Sequence, residues 1–304
     1  MESTSIKIHT SICPVCGNKA TTPFLTCKDY LASHEIFDIY KCNRCGFAFT
    51  QDFPSEEAIG RYYDAPAYVS HSDTHKGIIN MLYHWARKIA LRSKAKMVCR
   101  YAGDKKGMLL DIGSGTGYFL NKMKERKWVV TGIEKSETAR NYTKQKFNIN
   151  CQASDYLYEI PCKTKDVITM WHVLEHLEHL NSVMDHLQGI LKDDGTLIIA
   201  LPNKSSFDAA YYKENWAAYD VPRHLWHFSP ADFEHLAKRH HFEIIATKPM
   251  YFDAFYISML SEKNKGSFLG SIVGLFRGGL FFIKTLGNKS KSSSLIYILK
   301  KKKQ

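Results

Sequence analysis

What this 304-residue sequence lacks narrows the field before any motif is read. No uninterrupted apolar stretch reaches the ~18 residues that a bilayer-crossing helix needs, so a transmembrane helix is not expected. Met1 to Ser11 is polar apart from isolated isoleucines and lacks the apolar core of a secretory leader, so a cytoplasmic chain is expected. Disulfides are rare there, and the eight cysteines are expected as thiols or metal ligands. Acidic side chains are in deficit, 30 against 42 basic ones, for a net charge of +12. The surplus gathers between His84 and Lys106 and at Lys300–Lys303. Such runs are usually solvated faces, with an anionic membrane or a nucleic acid as the alternative partner. No basic–aromatic stripe of an RNA-binding module is present, which argues against RNA. The length suits one large domain plus a small one.

Two copies of C-x-x-C-G come first, Cys13-Pro-Val-Cys16-Gly and Cys42-Asn-Arg-Cys45-Gly. Each is a turn that presents two thiolates to one centre. Together Cys13, Cys16, Cys42 and Cys45 supply the four sulfurs of a closed tetrahedral zinc site, structural because no position is left open. Cys27 reads as a buried thiol. Residues 1–50 are thus a zinc ribbon, and a segment so small folds poorly without its metal. Residues 51–107 read as a helical connector. It has a short helix at Ser55–Tyr63 and an amphipathic one from His75 to Arg100, with Ile78, Ile79, Leu82, Trp85, Ile89 and Val98 along one face.

The stretch that organises the remainder is Met108–Leu120, MLLDIGSGTGYFL. A strand ending at Asp111 runs into a turn with glycines at 113, 115 and 117, and a helix follows. Such a turn brings bare N–H groups and a helix N-terminus close to a ligand. The dinucleotide fingerprint G-x-G-x-x-G is missing, because Tyr118 stands at its last position. Strand two, Trp128–Ile133, ends at Glu134, about 20 residues beyond the turn, where a carboxylate accepts both ribose hydroxyls of a nucleoside. Strand three covers 149–153 and is followed by Asp155. Strand four, Asp166–Met170, runs into Trp171 and His172-Val-Leu-Glu175-His176. Strand five is Thr196–Leu201, strand six Phe242–Tyr251 and a last strand Ser294–Leu299. Ser229-Pro230 starts a helix, and His240 and His241 read as its caps. This alternation of strands and helices is that of a parallel sheet covered on both faces.

DIGSGTG, the acid after strand two, HVLEHL, LKDDGTLIIALPN and YDVPRHLWHFSP together resemble class I methyltransferases that use S-adenosylmethionine (SAM), in the group with an H-x-L-E-H motif. The two knuckles and GRYYDAPAYVSH are similar to the zinc-bearing lead-in of bacterial sugar C-methyltransferases. The resemblance implies a Rossmann-like α/β fold with a seven-stranded sheet. Six strands are parallel, the last is antiparallel and inserted beside strand five, helices lie on both faces, and a small N-terminal zinc ribbon precedes them. The domain spans 108–304 with an insertion at about 253–291. SAM would be held by Asp111, Gly113, Ser114, Gly115, Gly117, Tyr118, Glu134, Asp155 and Trp171.

The i, i+3, i+4 spacing of His172, Glu175 and His176 places all three on one face of a helix start. An E-x-x-E-H version of the motif binds a divalent ion in ubiquinone-pathway and small-RNA O-methyltransferases. Carried over by position, the ligands are His172, Glu175, His176 and His227. His172 stands where those families have a glutamate, which removes a negative charge and favours a softer ion or none. Three roles stay open for this cluster: a second, catalytic metal, a metal-free general base at His172 or His227, or hydrogen bonding within the helix and its loops. Trp216, Tyr219, Asp220, Pro222, Arg223 and His224 lie in the long loop 202–228, expected as an aromatic lid over the substrate or as a surface cover. Phe268–Leu286 is apolar and glycine-dotted. It reads as cover for the domain's own core, a substrate channel or a helix lying on a membrane.

The activity expected is O-methylation of a small-molecule, sugar or lipid-linked acceptor, because the histidines offer a base or a metal site. The alternatives are C-methylation of a nucleotide-linked deoxysugar and RNA methylation recruited by the ribbon. Peripheral membrane contact through 268–286 and the Lys-rich tail also stays open.

Overall fold

The computed structural model describes residues 7–63, 78–103 and 106–302, and of residues 78–86 the backbone alone. The latter part of GRYYDAPAYVSH, the expected helical residues 75–77 and Lys303 lie outside the described residues. The ribbon comprises β1 (Lys7–Ile8), β2 (Thr21–Lys28), β3 (Ile36–Cys42), β4 (Ala48–Thr50) and β5 (Phe53–Pro54). β2, β3 and β4 pair antiparallel, and β1 pairs with β5. The two knuckles are alike. Gly17 N–H donates to the Cys13 carbonyl and Gly46 N–H to that of Cys42, both at 2.9 Å. Both glycines have φ near +75°, a backbone that a Cβ disfavours.

A short 3-10 turn, Ile59–Tyr62, stands where the first connector helix was expected, and a long helix follows, α1 (Ile78–Ala102). The β-α alternation then runs β6 (Met108–Ile112), α2 (Tyr118–Glu125), β7 (Val129–Ile133), α3 (Glu137–Phe147), β8 (Cys151–Gln152), β9 (Lys165–Trp171), α4 (Leu180–Ile190) and β10 (Leu191–Pro202). β10 begins earlier than expected. It runs through the anticipated turn at 192–195, with a register irregularity between Leu191 and Thr196. The segment after it holds α5 (Phe207–Tyr212), β11 (Trp226–His227) and α6 (Pro230–Arg239). Ser229 caps α6 in a reciprocal box with Asp232, with Pro230 in the first turn, the arrangement that satisfies two orphan N–H groups at once. His240 is its C-cap residue. β12 (Phe242–Pro249), α7 (Asp253–Asn264), α8 (Gly270–Gly287) and β13 (Ser294–Lys301) complete the chain.

The central sheet has seven strands in the order β12-β13-β10-β9-β6-β7-β8. β13 is antiparallel to both its neighbours and the other six strands run one way. The last strand is inserted beside strand five, as the Rossmann-like expectation had it. β9 and β10 are buried almost throughout, as strands covered on both faces must be. Their order reverses between β6 and β9, and the carboxyl edge at that switch point is where open α/β sheets bind ligands.

The ribbon is not separate from this sheet. β11 pairs with β4 and completes a four-stranded sheet in the order β11-β4-β3-β2. Phe47 stacks against Trp226 and Phe228, with centroids 6.3 and 5.3 Å away, so ribbon and catalytic segment share one apolar core. The insertion is a hairpin of α7 and α8, held close by glycines. A Cβ built on Gly274 would lie 2.4 Å from the Met259 Cα, and one on Gly278 would lie 2.6 Å from the Phe255 Cα. Among the described residues no helix is long and apolar enough to cross a membrane.

Candidate active site

β6 delivers Asp111 to the carboxyl edge, buried, with the Thr169 hydroxyl donating to it at 2.6 Å. Burial pushes its carboxyl up to about 7, against the pull of Thr169 and Lys94. The turn that follows needs glycine for two different reasons. Gly113 lies under Val173, whose Cγ2 would be 2.3 Å from an added Cβ, and Gly117 lies equally close to Thr143. Gly115, with φ +52°, faces open space. There a ligand can approach bare backbone. Glu134 ends β7 beside this turn and accepts from Gly115 N–H at 2.8 Å and Ser136 N–H at 2.9 Å. A carboxylate has about four lone-pair sites, so two stay available to hydroxyls. Ser114 N–H is committed to Ile133. Asp155 stands exposed on the turn after β8, at the same edge.

Trp171, the last residue of β9, packs edge-on against Phe119 at 5.4 Å, with the Lys94 ammonium 4.3 Å over its ring. Its buried indole N–H has no acceptor. A buried donor left so points to an absent partner. Open space at Gly115, free lone pairs on Glu134 and this orphaned N–H are what a nucleoside-bearing cofactor requires. Tyr118 does not join them. Its ring packs on Phe147, its hydroxyl accepts from Lys146 at 2.6 Å, and Arg87 lies 4.2 Å over it. Tyr118 tethers α2 to α3 and α1.

The histidine cluster needs larger corrections. No regular helix starts at His172. His172 has φ +59°, and Leu174–His176 is a 3-10 turn ahead of α4. The three side chains therefore do not form one ligand set: Glu175 touches both histidines, but His172 stands apart from the group that holds His176. His172 lies between two carboxylates, Glu175 at 3.3 Å from Nδ1 and Asp253 of α7 at 3.3 Å from Nε2. Burial opposes its charge, yet Asp253 and Glu175 raise its pKa to about 9. A group held protonated at neutral pH is no general base. His227 is buried at β11, its Nε2 3.0 Å from the Thr50 hydroxyl, and burial holds it neutral. It belongs to the ribbon interface, not to the cluster.

What the fold does bring together is Glu175, His176 and His224, whose ligand atoms lie within 4.8 Å of one another. Glu175 is fully buried, and neither carboxylate oxygen has a hydrogen-bond donor, the His172 contact falling outside hydrogen-bond angles. Against burial, His172, His176 and His224 hold its pKa below the usual value. His176 Nδ1 meets the Arg223 carbonyl at 3.0 Å and His224 Nδ1 the Ala218 carbonyl at 2.8 Å. Carbonyls accept only from N–H, so both rings carry a proton on Nδ1, which leaves Nε2 as the ring atom available to a metal. Burial and His224 push His176 down to about 4, so it is neutral. Tyr63 from the connector places its hydroxyl 3.1 Å from His176 Nδ1.

The loop expected as a lid or a surface cover is packed against the ribbon. Trp216 and Tyr219 are buried, the Trp216 indole N–H donating to Asp208 at 2.8 Å. Arg223, also buried, donates to Asp220, to Asp29 of the ribbon at 2.9 Å and to the Tyr62 carbonyl. All three are buried, with Trp216 and Tyr219 packed among ribbon side chains and Arg223 bonded to Asp29. Asp253 and Lys94 escaped the sequence reading, because each reaches the site from an element with no motif of its own, and Tyr63, inside GRYYDAPAYVSH, carried no assigned role there.

The ribbon's four sulfurs also converge, with Cys13–Cys45 at 3.6 Å and Cys16–Cys42 at 3.5 Å. Tetrahedral zinc with bonds of ~2.3 Å separates sulfurs by roughly 3.8 Å. Burial pushes the Cys13 thiol up to about 11. Against its own burial, the N–H groups of Cys45 and Arg44 hold Cys42 down to about 6. The cluster fits a closed structural zinc.

This strand order, with an open glycine turn and an acid at the switch point, defines an α/β domain built to hold a nucleoside cofactor. A family model described as a methyltransferase domain matches residues 81–247. The chain belongs to that family, of the class I, SAM-dependent kind. It is 30% identical over 119 residues to a ubiquinone biosynthesis O-methyltransferase of Coxiella burnetii, covering 36% of this chain and 50% of that protein. It is 30% identical over 120 residues to an uncharacterized methyltransferase of Alkaliphilus oremlandii, covering 38% and 54%. The chain thus spans about half the length of these curated relatives. In fold it resembles magnesium protoporphyrin IX methyltransferase of Synechocystis, solved with bound SAH, at TM-score 0.52 and 14% identity over 78% of this chain and 95% of that one.

Proposed function

We propose that the protein transfers the methyl group of SAM to an oxygen of a small-molecule or lipid-linked acceptor. The single observation that carries the oxygen reading is Glu175, a buried carboxylate without donors, beside two histidines whose lone pairs are fixed by backbone carbonyls. The arrangement fits a divalent cation completed by the acceptor. When bound, such an ion supplies a positive charge that lowers the pKa of an acceptor hydroxyl.

The chain's own residues do the rest. Gly115 and Glu134 seat the nucleoside, with Asp155 at the same edge and Trp171 donating its indole N–H. Val173, pressed on Gly113, fixes the histidine loop over the cofactor turn, so the acceptor and the sulfonium methyl are held for in-line attack. Protonated His172, bracketed by Asp253 and Glu175, orients Glu175 and compensates its charge. The four cysteines hold structural zinc and keep the ribbon folded against the sheet.

Calorimetric titration with SAM is the direct test. The wild type should bind it, and Glu134→Ala should bind about 10- to 100-fold more weakly, the worth of one or two charged hydrogen bonds. Equal affinity of the two proteins would remove Glu134 from the seat. Product NMR with accepted substrates decides oxygen against carbon.

A further inference from the structure

The outer face of α8 is apolar, and nothing among the described residues covers it. At about 100° per residue, Leu269, Ile272, Phe276, Leu280 and Ile283 fall on one stripe. Ile272, Phe276 and Ile283 are 67%, 70% and 63% exposed. The opposite face is already used, for Gly274 and Gly278 press their backbone on α7 while Phe281 and Thr285 are buried. The hairpin therefore cannot turn the stripe inward without losing that close packing.

Charge points to the occupant. From Lys263 to Ser293 every charged side chain is basic. Arg277 pairs with Glu262 at 3.4 Å, but Lys263, Lys265, Lys284 and Lys289 are exposed. An apolar stripe rimmed by uncompensated lysines suits the boundary between acyl chains and anionic headgroups. We propose that the α7–α8 hairpin seats this protein on an anionic membrane surface, with the α8 stripe at the depth of the headgroups. Lys300 and Lys301 take no part. They sit at the far end of β13, held to the Asp194 carbonyl and to Asp193, a strand length from the hairpin. The root of α7 carries Asp253, the partner of His172, so one helix joins the membrane face to the candidate active site. That last link deepens the lipid-linked acceptor reading and rests on it, whereas the seating itself does not.

The test is co-sedimentation of the full chain with vesicles of phosphatidylcholine alone and of phosphatidylcholine with phosphatidylglycerol. Binding is expected to the anionic vesicles, several-fold weaker to the neutral ones and weakened by salt. It should fall about ten-fold or more in the Ile272→Ser/Phe276→Ser double variant and similarly in Lys263→Glu/Lys265→Glu. These positions are exposed, so circular dichroism and SAM affinity should stay at wild-type values. Loss of vesicle binding with SAM affinity retained separates this surface from the methyl-donor reading. Absence of binding to either vesicle, equal binding by the double variant, or a wild-type dimer that the double variant turns into a monomer would overturn the proposal.

Discussion

The four-cysteine cluster comes from two like turns near one another in the chain, each closed by a glycine N–H on its own cysteine carbonyl. Glu175, His176 and His224 come from two loops that meet only because β11 crosses to the ribbon and brings His224 back over the 3-10 turn after β9. The first set has four sulfurs and no room for a fifth ligand, the second three groups, one of them the unsatisfied carboxylate of Glu175. A closed set can only hold shape. An incomplete one beside a cofactor turn has a position left for a reactant. The two clusters are also linked, because Arg223, next to His224 in the chain, donates to Asp29 of the ribbon. The difference teaches that one metal-type site here is a fold determinant and the other a fold product.

That contrast can be broken by four experiments, of which Cys42→Ser, or chelation of the wild type, should have the largest effect. Loss of one sulfur should lower the unfolding midpoint on the order of 10 °C, since structural zinc sites contribute folding energy directly. A shift below about 2 °C would show that the ribbon stands without metal. Next comes Glu175→Gln. Turnover should fall about 100-fold or more, with the midpoint lowered by only a few degrees, because His172 loses its pairing with Glu175 but keeps Asp253. Unfolding of this variant in place of inactivity would make Glu175 structural.

Third, His224→Ala should weaken divalent-metal binding at this cluster by roughly 10- to 100-fold, while His227→Ala leaves it unchanged. The reverse result, read by metal titration after the cysteine site is filled, would restore His227 as the ligand. The smallest effect is in pH. His172 has its folded pKa raised to about 9 from 6.5. Its ion pairs with Asp253 and Glu175 are thus fully present below about pH 6.5 and lost as pH rises through 9. His176 has its folded pKa depressed to about 4, so its contribution is present above about 6.5 and lost as pH falls toward 4. The gap in midpoint between wild type and Asp253→Asn should be a few degrees at pH 6.5 and close above pH 9.5. A gap that stays constant across this range would mean that His172 is not charged.

Local patterns read true where the physics is local. The knuckles, the Gly113–Gly117 turn, Glu134 at the end of β7 and the Ser229 cap are each set by a few neighbouring residues. The strand order followed from the resemblance and the β-α alternation, because a parallel sheet leaves few ways to connect its strands. Failures came wherever a side chain's role depended on a distant partner. Counting i, i+3, i+4 presumed a helix at His172, but its positive φ turned the ring toward Asp253. Loop length left Trp216 and Arg223 as either a lid or a surface cover, whereas both are buried and Arg223 bonds to Asp29 of the ribbon.

By itself, then, the sequence determined the four-cysteine ribbon, the glycine turn with Glu134 beside it and the α/β sheet, since short-range geometry and strand pairing leave little choice there. Only the tertiary structure decided that His224, not His227, meets Glu175 and His176. It alone also decided that the apolar stripe of α8 faces outward. The reason is the same in both cases. Which face a side chain presents is settled by what packs on the opposite one, and for β11 and α8 those neighbours, the ribbon and the glycine-lined α7, lie far away in the chain or carry no signal in the pattern.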